Sequence, residues 1–242
     1  MTNCAFEANG IANANINGRG ASFTGEYGAN GPTVRLCGCT FAGNVQTNTT
    51  ASAGCGTAVY LEYLGRAYVD DCIFASNGAP HTVSASALPP YNPDTGTTYN
   101  EYGVGIYAKS CPLTVRGTCF VANRVRSVST GDNTGGGVVR TEDIRYGKLA
   151  FTNCLWLANE NIGGAAAVCI DSANQSGSPF VVTSDFVNCT FAYNLTDASS
   201  KIGGIYSEGC RVRILNSVFY GNRNGNGDAG TALYANGGAD VI

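Results

Sequence analysis

The sequence predicts an all-β fold, a right-handed parallel β-helix (solenoid) of about seven coils, on three recurring features. An aromatic residue followed three positions later by Asn returns along the whole chain. A Gly-rich segment running into aliphatic residues, often with a Tyr, lies between these pairs. A short apolar-polar-apolar run stands ahead of the aromatic, the period-2 pattern of a half-buried strand. Nothing in the sequence sustains a helical period.

The aromatic element comes first. It reads Phe6-x-x-Asn9, Phe41-x-x-Asn44, Phe74-x-x-Asn77, Phe120-x-x-Asn123, Trp156-x-x-Asn159, Phe191-x-x-Asn194 and Phe219-x-x-Asn222, at spacings of 35, 33, 46, 36, 35 and 28 residues. Two positions before the aromatic stand Cys4, Cys39, Cys72, Cys154 and Cys189, with Thr118 and Ser217 in the remaining units. One position earlier lie Asn3, Asp71, Asn153, Asn188 and Asn216, with Gly38 and Gly117 elsewhere. In a parallel stack, equivalent residues lie about 4.8 Å apart. Rings then stack on rings, small residues share one narrow slot, and asparagines tolerant of left-handed turns pass amide hydrogen bonds along a ladder.

The Gly-rich element reads Gly54-Cys55-Gly56-Thr57-Ala58-Val59-Tyr60, Gly103-Val104-Gly105-Ile106-Tyr107, Gly135-Gly136-Gly137-Val138-Val139, Gly163-Gly164-Ala165, Gly203-Gly204-Ile205-Tyr206 and Gly230-Thr231-Ala232-Leu233-Tyr234. The alternating element is clearest at Val34-Arg35-Leu36, Leu113-Thr114-Val115 and Val212-Arg213-Ile214. One such unit cannot bury its apolar face, but stacked units share a continuous core. Residues 1–242 therefore read as a single domain and a segment of a longer repeat array, with a loop insertion at 78–102. A β-propeller has a comparable period, but the missing fourth strand and the Asn ladder argue against it.

Composition agrees. Hydrophobic residues at 44% supply a core, while 13% charged residues and 33 glycines suit a chain that turns often and packs backbones closely. A net charge of −3 argues against a nucleic-acid partner, which favours a basic face. No apolar run is long enough for membrane insertion by this segment. Eleven cysteines, five in one repeat slot, read as buried free thiols. Cys37-Gly38-Cys39 is too short for the usual zinc spacing, and neither a metal nor any cofactor is called for.

The pairing of Phe-x-x-Asn with Gly-Gly-Ala-Ile-like segments (Gly135-Gly136-Gly137-Val138, Gly163-Gly164-Ala165, Gly203-Gly204-Ile205) resembles the repeats of the chlamydial polymorphic outer membrane proteins. The resemblance covers nearly the whole chain. It implies a right-handed β-helix that reaches outward from a cell surface and acts as an adhesin. Cys stands where that family more often has other small residues, and no barrel sequence is present.

No catalytic constellation emerges. Asp70-Asp71 is the one adjacent acidic pair in a strand, and alternation sends its side chains to opposite faces, Asp71 into the Asn slot and Asp70 to solvent. Glu142-Asp143 with Arg140 and Arg145 reads as a solvated turn, and no nucleophile elbow surrounds any Ser. Two features are candidates for binding. The insertion carries His81, Tyr91, Tyr99 and Tyr102. Tyr60, Tyr107, Tyr206 and Tyr234 share one repeat position, as an exposed stripe or as a stabilising ladder.

The expectation is therefore a non-catalytic extracellular or cell-surface module, adhesin- or stalk-like, whose partner is a protein or glycan ligand on another surface. Gly237–Ile242 followed by Thr2–Phe6 spells one complete unit. That makes head-to-tail self-association into a filament the alternative reading. A polysaccharide lyase or hydrolase is the second alternative.

Overall fold

The computed structural model describes residues 1–11, 20–26, 31–46, 54–78, 101–126, 136–144, 147–162, 165, 167–171, 182–196, 202–225 and 232–236. Among these residues there are strands and no helix, and the strands pair in parallel. The architecture is that of a parallel β-solenoid. Each unit passes through three sheets in turn and then returns to the first, one strand further along.

The first sheet carries the aromatics. Its strands, Ala5–Glu7, Thr40–Ala42, Ile73–Ala75, Cys119–Val121, Leu155–Leu157, Thr190–Ala192 and Val218–Tyr220, neighbour one another in sequence order. The second, the tyrosine sheet, holds Ala21–Thr24, Val59–Glu62, Ile106–Lys109, Val139–Glu142, Val168–Asp171, Ile205–Glu208 and Leu233–Asn236. The third, the alternating sheet, holds Thr33–Cys37, Arg66–Asp70, Leu113–Arg116, Lys148–Thr152, Val182–Val187 and Cys210–Leu215. The order is sequential because the chain advances one strand spacing per circuit.

Register follows the repeat. Phe6, Phe41, Phe74, Phe120, Trp156, Phe191 and Phe219 are directly opposite one another. Their rings stack with centroids 4.4–5.2 Å apart. Each pair adds about 0.5–1.5 kcal/mol beyond the area that it buries. Phe151 and Phe186 from the alternating sheet meet this stack edge-on at Trp156 and Phe191. Trp156 buries its indole N–H without a hydrogen-bond partner among the described residues, a cost the phenylalanines in the same column avoid.

The ladder asparagines explain the fixed three-residue offset. From Asn44 to Asn194 each side-chain NH₂ donates twice, once along the column to the next Asn Oδ1 and once to the carbonyl of the aromatic one unit back. Asn123 Nδ2 reaches Asn159 Oδ1 at 3.0 Å and the Phe74 carbonyl at 2.9 Å. In return, Asn123 Oδ1 accepts from both the backbone N–H and the Nδ2 of Asn77, each at 3.0 Å. The pattern runs from Asn9 through Asn44, Asn77, Asn123, Asn159 and Asn194 to Asn222. These residues are not themselves left-handed. The residue before each one is: Ala8, Gly43, Ser76, Ala122, Ala158, Tyr193 and Gly221 all have φ between 51° and 62°. The asparagine is thus selected for its amide, and the turn strain falls on its neighbour.

A second left-handed corner precedes the aromatic sheet, at Asn3, Gly38, Asp71, Gly117, Asn153, Asn188 and Asn216. The residue after each corner donates to the carbonyl two positions back. Cys4, Cys39, Cys72, Cys154 and Cys189 do so through Sγ, and Thr118 and Ser217 through Oγ. The slot therefore requires a small side chain with a proton to donate, which Cys, Thr and Ser all supply. All eleven cysteines are free thiols in the structure.

Replacing Asn123 with Ala strands several buried polar groups at once. The expected loss is at least about 3 kcal/mol, against less than about 1 kcal/mol for Asn9→Ala at the exposed end of the ladder, read from urea unfolding. Burial foremost pushes the thiols of Cys55, Cys72, Cys111 and Cys169 from 9.0 up to about 12. The folded chain then holds protons that the unfolded chain releases. Stability is complete below about pH 9 and falls as the pH rises toward 12. Urea midpoints on either side of pH 9 should show this fall, and Cys111→Ala should flatten it.

Candidate functional site

The interior ladders absorb most of the repeated residues, which leaves the outward columns of the three sheets. In the tyrosine sheet, Val59, Ile106, Val139, Val168, Ile205 and Leu233 share one column, facing the core. The adjacent outward column is Tyr60, Tyr107, Arg140, Cys169, Tyr206 and Tyr234. It is not an exposed stripe. Tyr60, Tyr107 and Tyr206 are buried, and only Tyr234 is exposed. The Gly-rich segments fold back over this face: a Cβ on Gly56 would meet the Val59 carbonyl at 2.5 Å, and one on Gly103 the Ile106 carbonyl at 2.4 Å. Ala165 likewise packs with Cys169 and Tyr206 in a small outer cluster. The tyrosines form the ladder arrangement, Tyr60 stacked on Tyr107 and Tyr206 on Tyr234, each at 5.4 Å.

Arg140 interrupts that column and overturns the expectation of a solvated turn. It lies in strand Val139–Glu142, 3% exposed, paired with Glu142 at 2.6 Å and Asp171 at 3.0 Å. Tyr107 donates its hydroxyl to the same Glu142 carboxylate. Burial foremost, and then its anionic neighbours, drive the Tyr107 phenol far above its ordinary range. Burial opposes the charge on Arg140, and Cys169, Glu142 and Asp171 outweigh it, so the guanidinium stays protonated. Arg145 lies outside the described residues. The cluster ties strands Val139–Glu142 and Val168–Asp171 together, with Arg140 buried and its two carboxylates partly exposed.

The alternating sheet is different. Its outward side chains include Arg35, Arg66, Arg116, Lys148, Arg211 and Arg213, against Asp70 and Asp185, a formal +4 on one face of a chain whose total is −3. Five of the six cations are exposed and Arg213 is half-buried, while the two carboxylates lie low between them. Arg35 pairs with Asp70 at 2.9 Å, so Asp70 is not the solvated residue expected from alternation. Arg213 grips Asp185 in bidentate fashion at 3.1 and 2.6 Å, and Lys148 shares that carboxylate. Asp71 takes the corner position as expected.

Tyr68 registers the field on this face. The Arg35 guanidinium lies over its ring at 4.5 Å, and Arg66 donates to its hydroxyl at 3.3 Å. The Arg66 hydrogen bond, joined by the charges of Arg66, Arg35 and Arg116, lowers the phenol below its ordinary 10.0. Net charge concealed this face, because the sum over the chain discards direction. The available signal was Arg at the polar step of the alternation, already visible at Arg35 and Arg213.

The outward face of the aromatic sheet is apolar, with Ile73, Val218 and Tyr220 exposed and Glu7 its one charged residue. Of the insertion residues, His81, Tyr91 and Tyr99 lie outside the described residues. Tyr102 belongs to strand Glu101–Tyr102, which pairs with Gly54–Cys55. Among the described residues, no group of three or more His, Cys, Asp or Glu is placed to hold a metal ion. No family model, curated protein or solved structure matches the chain.

Removing the Arg140 charge leaves Glu142 and Asp171 facing each other with little water. Arg140→Leu should cost about 3–5 kcal/mol in thermal or urea unfolding, and adding Glu142→Gln and Asp171→Asn to that variant should restore much of the loss.

Proposed function

We propose that the chain is a non-catalytic cell-surface or secreted module, a right-handed parallel β-helix of about seven coils that presents a rigid face to a protein or glycan on another surface. One observation carries this reading: the alternating sheet holds an exposed array of charged side chains on a backbone pinned by hydrogen bonds from strand to strand. A scaffold of this kind orients side chains with little loss of freedom on binding. The resemblance to the polymorphic outer membrane proteins, themselves surface proteins with this repeat, supports the same reading.

The carboxylates that a lyase or hydrolase would use have other duties. Asp70 holds Arg35, Asp71 forms a corner, and Glu142 and Asp171 hold a buried Arg140. Catalysis therefore does not enter the proposal.

A second reading, stacking of chains head to tail, draws on the half-buried state of Phe6 and Phe219, the first and last rings of the stack. Each would accept another ring at the same spacing. Binding of purified chain to immobilised cells or matrix preparations tests the first reading. Saturable binding with a monomeric sedimentation profile across a concentration series is expected. Growth of long particles with rising concentration, without surface binding, would establish the filament instead.

A further inference from the structure

We infer that the ligand is a linear acidic polysaccharide, bearing uronate or sulfate groups, lying across the outer face of the alternating sheet on Arg35, Arg66, Arg116, Lys148, Arg211 and Arg213; this rests on the reading of the chain as a surface-binding module. The placement of the cations is the first argument. Arg66, Lys148 and Arg211 occupy one column at every second strand, since Arg66–Asp70, Lys148–Thr152 and Cys210–Leu215 alternate with other strands in the sheet. At about 4.8 Å per strand, their backbones repeat at roughly 10 Å, and the six strands together span about 24 Å. An extended acidic glycan presents the same side once per disaccharide, on that scale, so one chain running along the solenoid axis meets a cation at each period.

The choice of cation is the second argument. Five of the six are Arg, whose planar fork pairs with carboxylate or sulfate through two parallel hydrogen bonds. Asp70 and Asp185 lie low between them and hold Arg35, Lys148 and Arg213 in place, which reduces the ordering cost on binding. At one end of the sheet Tyr68 holds two of these cations together, with Arg35 over its ring at 4.5 Å and Arg66 on its hydroxyl at 3.3 Å. On the tyrosine sheet, by contrast, Glu62, Glu142, Asp171 and Glu208 share one column in which Lys109 is the one cation. A polyanion is therefore steered to this face and repelled from that one.

Nucleic acid fits less well. A flat sheet offers no element to enter a groove. Single strands need open aromatic platforms, whereas Tyr68, the aromatic on this face, has Arg35 over its ring.

The test is calorimetric titration of the full chain with polygalacturonate, heparin, neutral dextran and a single-stranded oligonucleotide. Binding to polygalacturonate, heparin or both, but not to dextran, is expected, and comparison of the two names the anionic group. Rising salt should weaken it, and the Arg66→Gln/Arg116→Gln variant, with an unchanged circular-dichroism spectrum, should bind about tenfold more weakly. Binding that ignores these substitutions, binding to dextran as strong as to the acidic chains, or tighter binding to the oligonucleotide would each overturn the inference. Cell or matrix binding by the wild-type chain without any acidic-glycan binding would overturn the ligand class alone. Loss of both would sink the module reading as well.

Discussion

The vertical register, by which each residue stands above its equivalent one strand spacing away, governs everything else in this structure. The asparagine amide enforces it most directly. Each amide joins three consecutive units, because it accepts from one neighbour, donates to the other and also donates back to a carbonyl. A slip of one residue would break those contacts in every unit and turn every outward side chain into the core. Once that column is fixed, the rings must stack, the thiols must share a slot and the corners must align. From Asn44 to Asn222 the ladder is buried, so leaving any of these members unpaired carries the full desolvation penalty.

The same register sorts charge. Any residue type that recurs at an outward position becomes a line of like groups down one face. The solenoid resolves this differently on its two charged faces. On the tyrosine sheet a buried Arg140 pairs with both Glu142 and Asp171. On the alternating sheet the cations stay in water, offset among three columns, with two low-lying aspartates to relieve repulsion.

Much of the interior was legible in the sequence, because each interior position repeats a single chemical demand. The aromatic and asparagine columns fall where the motif places them. The cysteine slot was legible as small, but its requirement for a donor emerges only from the carbonyl that Thr118 and Ser217 also reach. The outer faces were harder to read. Alternation gives the direction in which Tyr60, Tyr107 and Tyr206 point, yet says nothing of what covers them, and a backbone segment does so. The basic face was lost because charge was summed along the chain and not by column.

The left-handed residue ahead of each ladder asparagine has a consequence for how such a chain changes over time. Ala8, Ser76, Ala122, Ala158 and Tyr193 hold that conformation without the freedom of glycine, so the corner is imposed by the contacts around it and not by its own residue type. Identity at the corner is therefore open to drift, and unit length is open as well, since spacings from 28 to 46 residues enter the same stack. Units that interlock only with their immediate neighbours can be duplicated or deleted whole. A lineage can thus lengthen or shorten its charged face in discrete steps of one strand, without redesigning the core.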